Sequence, residues 1–115
     1  MVDISKTRED LIYRAATEVG ALASGQSLSA EDFDTIDNLV DPLCQQLSFD
    51  GIVHVQDTNA IQPEHFLPLA RLLANESAIS FGQAFSKDIK IANETILLRL
   101  TAMRPTYETL ENDYF

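Results

Sequence analysis

Residues 33–47 read FDTIDNLVDPLCQQL. Phe33, Ile36, Val40, Leu43 and Leu47 follow one another at alternating steps of three and four, which places all five on one face of an α-helix. Ser29 followed by Asp32 is a capping signal just ahead of this stretch, and Gly51 supplies a stop just behind it. A helix with one apolar stripe needs partners, and the flanking sequence offers three more of the same kind.

Thr7 and Asp10 repeat the capping pattern and open a helix with Leu11, Ile12, Ala15, Val19 and Leu22 on one side, fraying at Gly20 and Gly25. After Gly51, the β-branched run IVHV and the turn-like QDTNA predict an extended piece or a small β-ribbon over 52–61. Pro63 and Glu64 suit the first turn of a third helix, with Phe66, Leu69, Leu72 and Leu73, ending near Gly82. Ser86 caps a fourth. That helix carries two stripes, Ile89, Ala92, Ile96, Leu100 and Met103 on one side and Ile91, Leu98 and Ala102 on another. A helix so apolar is expected to be central or shared with a neighbouring subunit, which makes Ile91, Leu98 and Ala102 the candidate subunit interface. The expectation is an all-α fold: a small four-helix bundle with a short extended or β-ribbon segment. Pro42 and Pro68 lie inside helical patterns and predict bends; Asp41-Pro42 also reads as the cap and first residue of a restarted helix.

The length of 115 residues suits one domain, and 45% hydrophobic with 23% charged residues is ordinary globular composition. No apolar run approaches the roughly 18 residues of a membrane helix, and MVDISKTRED lacks the apolar core of a signal peptide. Synthesis in a reducing cytoplasm is expected, and the single cysteine, Cys44, fits it. Eighteen acids against eight bases give a net charge of −10, and residues 15–70 hold nine acids with no Lys or Arg. Such a chain repels free nucleic acid and anionic membrane.

Catalytic and metal patterns are missing. His54 and His65 have no third ligand at a standard spacing, Glu64 and His65 are adjacent and diverge on a helix, and Cys44 lies beside the apolar stripe with no base placed for it. The glycines are isolated, so no phosphate loop forms. DTNAI starts like a calcium loop but lacks its glycine and terminal glutamate. The sequons at Asn75 and Asn93 lie in helical patterns and read as chance matches. No enzyme, cofactor or metal is expected.

Two features remain. Asp34, Asp37 and Asp41, with Glu31 nearby, share one helix face. A solvated surface, or a face made anionic toward DNA or a basic partner, both account for them, whereas hard cations prefer acids on turning loops. The chain then finishes RPTYETLENDYF. Pro105 stops the last helix, and Tyr107, Leu110, Tyr114 and Phe115 follow as four large apolar residues with no partner pattern. Residues 1–104 therefore read as a helical domain and 105–115 as an extended C-terminal docking arm, which spans roughly 36–40 Å when fully extended, in preference to an idle tail with accidental aromatics.

TREDLIYRAATEVGAL, FDTIDNLVDPLCQQLSFDGI and FLPLARLLANESAISFG, in that order, resemble the head-to-tail adaptor (connector) proteins of tailed bacteriophages. The similarity covers roughly residues 5–104 and is greatest to the tail accessory factor that follows the portal in short-tailed phages and stabilises packaged DNA. It implies about twelve copies in a closed ring on the portal protein. It also implies docking of the arm (Tyr107, Leu110, Tyr114, Phe115) on portal subunits, a next tail or nozzle component below, and a place in the virion neck. Glu31, Asp34, Asp37 and Asp41 would then face passing DNA without binding it specifically. The alternative is an acidic helical binding module or DNA mimic that inhibits a basic host protein, with Asp34, Asp37 and Asp41 as phosphate surrogates.

Overall fold

The computed structural model describes residues 5–22 and 26–103. Four helices follow in order: α1 (Arg8–Glu18), α2 (Ala30–Phe49), α3 (Pro63–Ser77), a 3-10 turn (Ala78–Phe81) and α4 (Lys87–Met103). The all-α, four-helix expectation holds. The C-terminal arm, with Tyr107, Leu110, Tyr114 and Phe115, lies outside the described residues.

The capping residues set where the helices start. Thr7 and Asp10 form a reciprocal capping box on α1, and the Ser29 hydroxyl accepts from the Asp32 amide at the start of α2. Ser86 does the same for Ile89 at the start of α4. Helix ends are set by glycine. After α2, Gly51 takes φ +73° and donates to Ser48 O, while Ile52 donates to Leu47 O at 2.9 Å. This paired closure satisfies the last carbonyls and turns the chain back across its own helix.

Every other helix packs on α3. Leu69, Leu72, Leu73, Ala70 and Ala74 are buried around it, meeting Leu11, Ile12, Ala15 and Ala16 from α1 and Ile36, Val40 and Leu47 from α2. Phe33 and Leu43, the other two members of the 33–47 stripe, pack at the edge of the same core. The position at the centre belongs to α3 and not to α4, which lies on its outer side.

Neither internal proline ends its helix: α2 runs unbroken from Ala30 to Phe49 through Pro42, and α3 from Pro63 to Ser77 through Pro68. The restart at Asp41 does not occur. Pro42 removes the bond to the carbonyl of Asn38, but Asn38 and Pro42 are both exposed, so water can satisfy that oxygen.

The β-ribbon over 52–61 is also absent among the described residues, where no strand forms and one isolated antiparallel bridge joins Ile61 to Lys6 through reciprocal 2.8 Å bonds. The β-branched Ile52 and Val53 are buried by packing against the helices instead of by pairing. The segment runs irregularly through a turn closed by Ala60 N to Asp57 O, and its end at Ile61 anchors the approach to α1.

Candidate functional site

Helix α4 packs along α3, and polar groups fix it near both ends. Asn75, buried on α3, donates from Nδ2 to the Ser86 carbonyl at 2.9 Å and accepts from the Ser86 amide at 2.8 Å. Near the other end, the Thr101 hydroxyl donates to Ile52 O at 3.0 Å. Between them, Asn93 and Leu97 are buried, and Leu97 is the fully buried apolar side chain of the helix. Lys90 and Glu94 pair at 2.9 Å one turn apart, and this bond raises the Lys90 pKa.

The apolar stripes face away. Ile89, Ile91, Ile96 and Leu98 keep 44%, 52%, 39% and 49% of their surface exposed, and Ala92 and Ala102 are exposed beside them. Isolated exposed leucines or isoleucines are normal on a protein; four on one helix, two on each flank of its outer line, are of the kind that marks an interaction surface. At about 100° per residue, Ile91, Leu98 and Ala102 form one flank, and Ile89, Ala92 and Ile96 the other. Asp88, Thr95 and Arg99 run between the flanks along the outermost line. The expected interface trio is thus on the surface, and so is most of the second stripe.

The acidic stripe of α2 is divided. Arg8, near the start of α1, donates from Nε to Asp37 Oδ1 at 2.7 Å, from Nη1 to Asp41 Oδ1 at 2.9 Å and from Nη2 to the Asp37 carbonyl at 3.1 Å. Nη1 also reaches the Thr58 hydroxyl at 3.3 Å. One guanidinium therefore ties α1, α2 and the 52–61 segment together. Burial disfavours its charge, but the bonds to Asp41 and Asp37 outweigh that and hold its pKa above the ordinary value. Glu31 and Asp34 remain exposed at the upstream end of the stripe. Removing Arg8 leaves Asp37 partly buried without its cation, so Arg8→Ala should destabilise the domain by about 1–2 kcal/mol. In urea unfolding the gap between wild type and variant should narrow in about 1 M salt, where ion pairs are screened.

The other candidate groups do not converge. His54 is exposed, its Nδ1 3.1 Å from the Ser48 hydroxyl, and among the described residues no carboxylate bonds its ring. His65 is buried in α3. Burial, with Asp41 adding to it, pushes the Cys44 thiol up and keeps it protonated near neutral pH, which opposes nucleophilic use. No group of three metal-ligating side chains is present among the described residues. Asn75 and Asn93 are buried, so neither sequon offers a free amide for glycosylation. Among those residues no helix is long and apolar enough to cross a membrane. An open groove of about 410 Å³ between the 54–62 segment and His65 brings His54, Asp57 and His65 to its walls without assembling a nucleophile, base and orienter.

No protein family, curated protein or solved structure matches this chain.

Sequence reading located the apolar residues of α4 and missed how the helix is turned. Leu97 falls between the two stripes and belongs to neither. The usable signal was polar: Asn93 and Thr101 lie on the same side as Leu97, and both bond or pack inward. Arg8 was missed as the partner of the acidic stripe because it is 29 residues from Asp37, beyond the reach of any local spacing.

Proposed function

We propose that this chain is a non-enzymatic structural adaptor whose outer α4 face joins it to other subunits, and that its setting is the neck of a tailed phage. The observation that carries the first part is the exposure of Ile89, Ile91, Ile96 and Leu98 along the two flanks of α4. Large apolar side chains left exposed on both flanks of one helix mark a surface built to be covered. The second part rests on the resemblance of the helix patterns in residues 5–104 to those of head-to-tail adaptors. In that setting copies of the chain ring the portal, provide a surface for the next tail component, and help close the channel over packaged DNA. Glu31 and Asp34 would add to an anionic wall along which DNA slides. The engagement of Asp37 and Asp41 by Arg8 weighs against the DNA-mimic alternative, because two of its phosphate surrogates already share one guanidinium, which cancels one of their two charges.

The test is native mass measurement of the chain after mixing with the portal ring from the same genome. About one copy per portal subunit is expected, in keeping with closed-ring symmetry. Deleting residues 105–115 should abolish this attachment while leaving the circular dichroism of the helical domain unchanged. Normal attachment of the truncated chain would remove the arm from the proposal, and no attachment by the full chain would remove the portal.

A further inference from the structure

The outermost line and flanks of α4 have a symmetry of their own. Asp88 and Arg99 are equidistant from a point between Asn93 and Glu94, and so are Ala92 and Thr95. Ile91 and Leu98 on one flank are centred one residue beyond that point, and Ile89 and Ile96 on the other flank one residue before it. Turning the helix end over end about this midpoint therefore exchanges acid for base and large apolar for large apolar. The small Ala92 and Thr95 stay at the centre.

We infer that two copies of the chain pair through α4, antiparallel, about a two-fold axis at the level of Asn93 and Glu94. In that arrangement Asp88 of each copy faces Arg99 of the other. Ile91 lies opposite Leu98 along one flank, and Ile89 opposite Ile96 along the other. An isologous contact requires a surface complementary to itself, and this charge order supplies it in one orientation only. A parallel pair would set Asp88 against Asp88 and Arg99 against Arg99.

Three details favour a second copy as the occupant. Asp88 and Arg99 are exposed and make no ion pair among the described residues, so both are free to pair across an interface. The Thr95 hydroxyl donates to Ile91 O at 2.7 Å, so its burial at the centre leaves no unsatisfied donor. Ala92 at the same level lets two helix axes approach closely. The inference goes beyond the adaptor reading and concerns the chain alone. A paired α4 is the form of the free protein, and ring assembly on the same flanks must open it.

Sedimentation of the isolated full chain at roughly 100 µM, where a micromolar dimer is nearly complete, reads the result directly. The expected mass is twice 12.8 kDa. R99D and D88R each set like charges together twice, and each should weaken pairing about 10–100-fold. An equimolar mixture of the two should recover a dimer, because every contact is then between opposite charges. Circular dichroism of each variant alone confirms that the fold is kept, and recovery in the mixture rules out misfolding as the cause of loss. A monomeric wild-type chain, a ring-sized oligomer, an R99D chain that pairs as tightly as wild type, or a mixture that fails to recover would each overturn the inference.

Discussion

Leu97→Ala should destabilise the domain by about 3 kcal/mol, within the range for truncating a fully buried leucine. Leu97 has 0% exposure and is the apolar side chain through which α4 enters the core. Among the described residues the helix with which α4 has substantial contact is α3, with the Thr101 bond to Ile52 O as a polar addition. A free helix of this length is marginal in water, so weakening the attachment also weakens the helix. Urea unfolding should show a lower midpoint, and hydrogen exchange of α4 amides should rise before that of α1. A loss below about 1 kcal/mol would mean that polar contacts hold α4 and that the cavity closes easily. The same truncation at Leu98, half exposed on a flank of α4, should change stability little at concentrations low enough to keep the chain monomeric.

Asn75→Leu is the second large effect, expected at about 2–3 kcal/mol despite near-equal volume. The amide of Asn75 serves both the N–H and the C=O of Ser86, and leucine serves neither. An unmet buried backbone group costs about 1–3 kcal/mol, reduced here by partial access of water to the Ser86 turn. The readout differs from that of Leu97. Loss of the Asn75 clamp releases the first turn of α4, so exchange should rise at residues 87–91 first, with the helix centre still protected. Uniform exchange along α4 would show that the clamp contributes to global stability only.

Local rules carried well in this chain where they concern neighbours. Thr7 with Asp10, Ser29 and Ser86 each cap the helix that follows, and the stripe from Phe33 to Leu47 faces the core. These signals work because cap and helix are a few residues apart and one stripe has one inward direction. Two stripes do not. In α4 the apolar flanks lie either side of the outward direction, so counting apolar residues turns the helix the wrong way, and the side that docks is chosen by Asn93, Leu97 and Thr101. Pro42 illustrates the complementary failure. Its penalty is set by whether the freed carbonyl reaches water, a property of burial that spacing does not encode. The candidate interface of Ile91, Leu98 and Ala102 was readable as apolar surface in excess of what one core needs. The Arg8 tie was not, because the residues it joins meet only after the chain has folded.

The central place of α3 also governs the order in which the protein comes into being. Helices α1 and α2 leave the ribosome first, yet the helix against which both pack ends at Ser77, 59 residues after Glu18 closes α1. At roughly 5–20 residues per second that interval lasts about 3–12 s. An 11-residue helix such as α1 does not persist alone for such a time. The nascent chain must therefore carry Leu11, Ile12, Ile36 and Val40 uncovered for seconds, within reach of chaperones, and then collapse in one late step when α3 emerges.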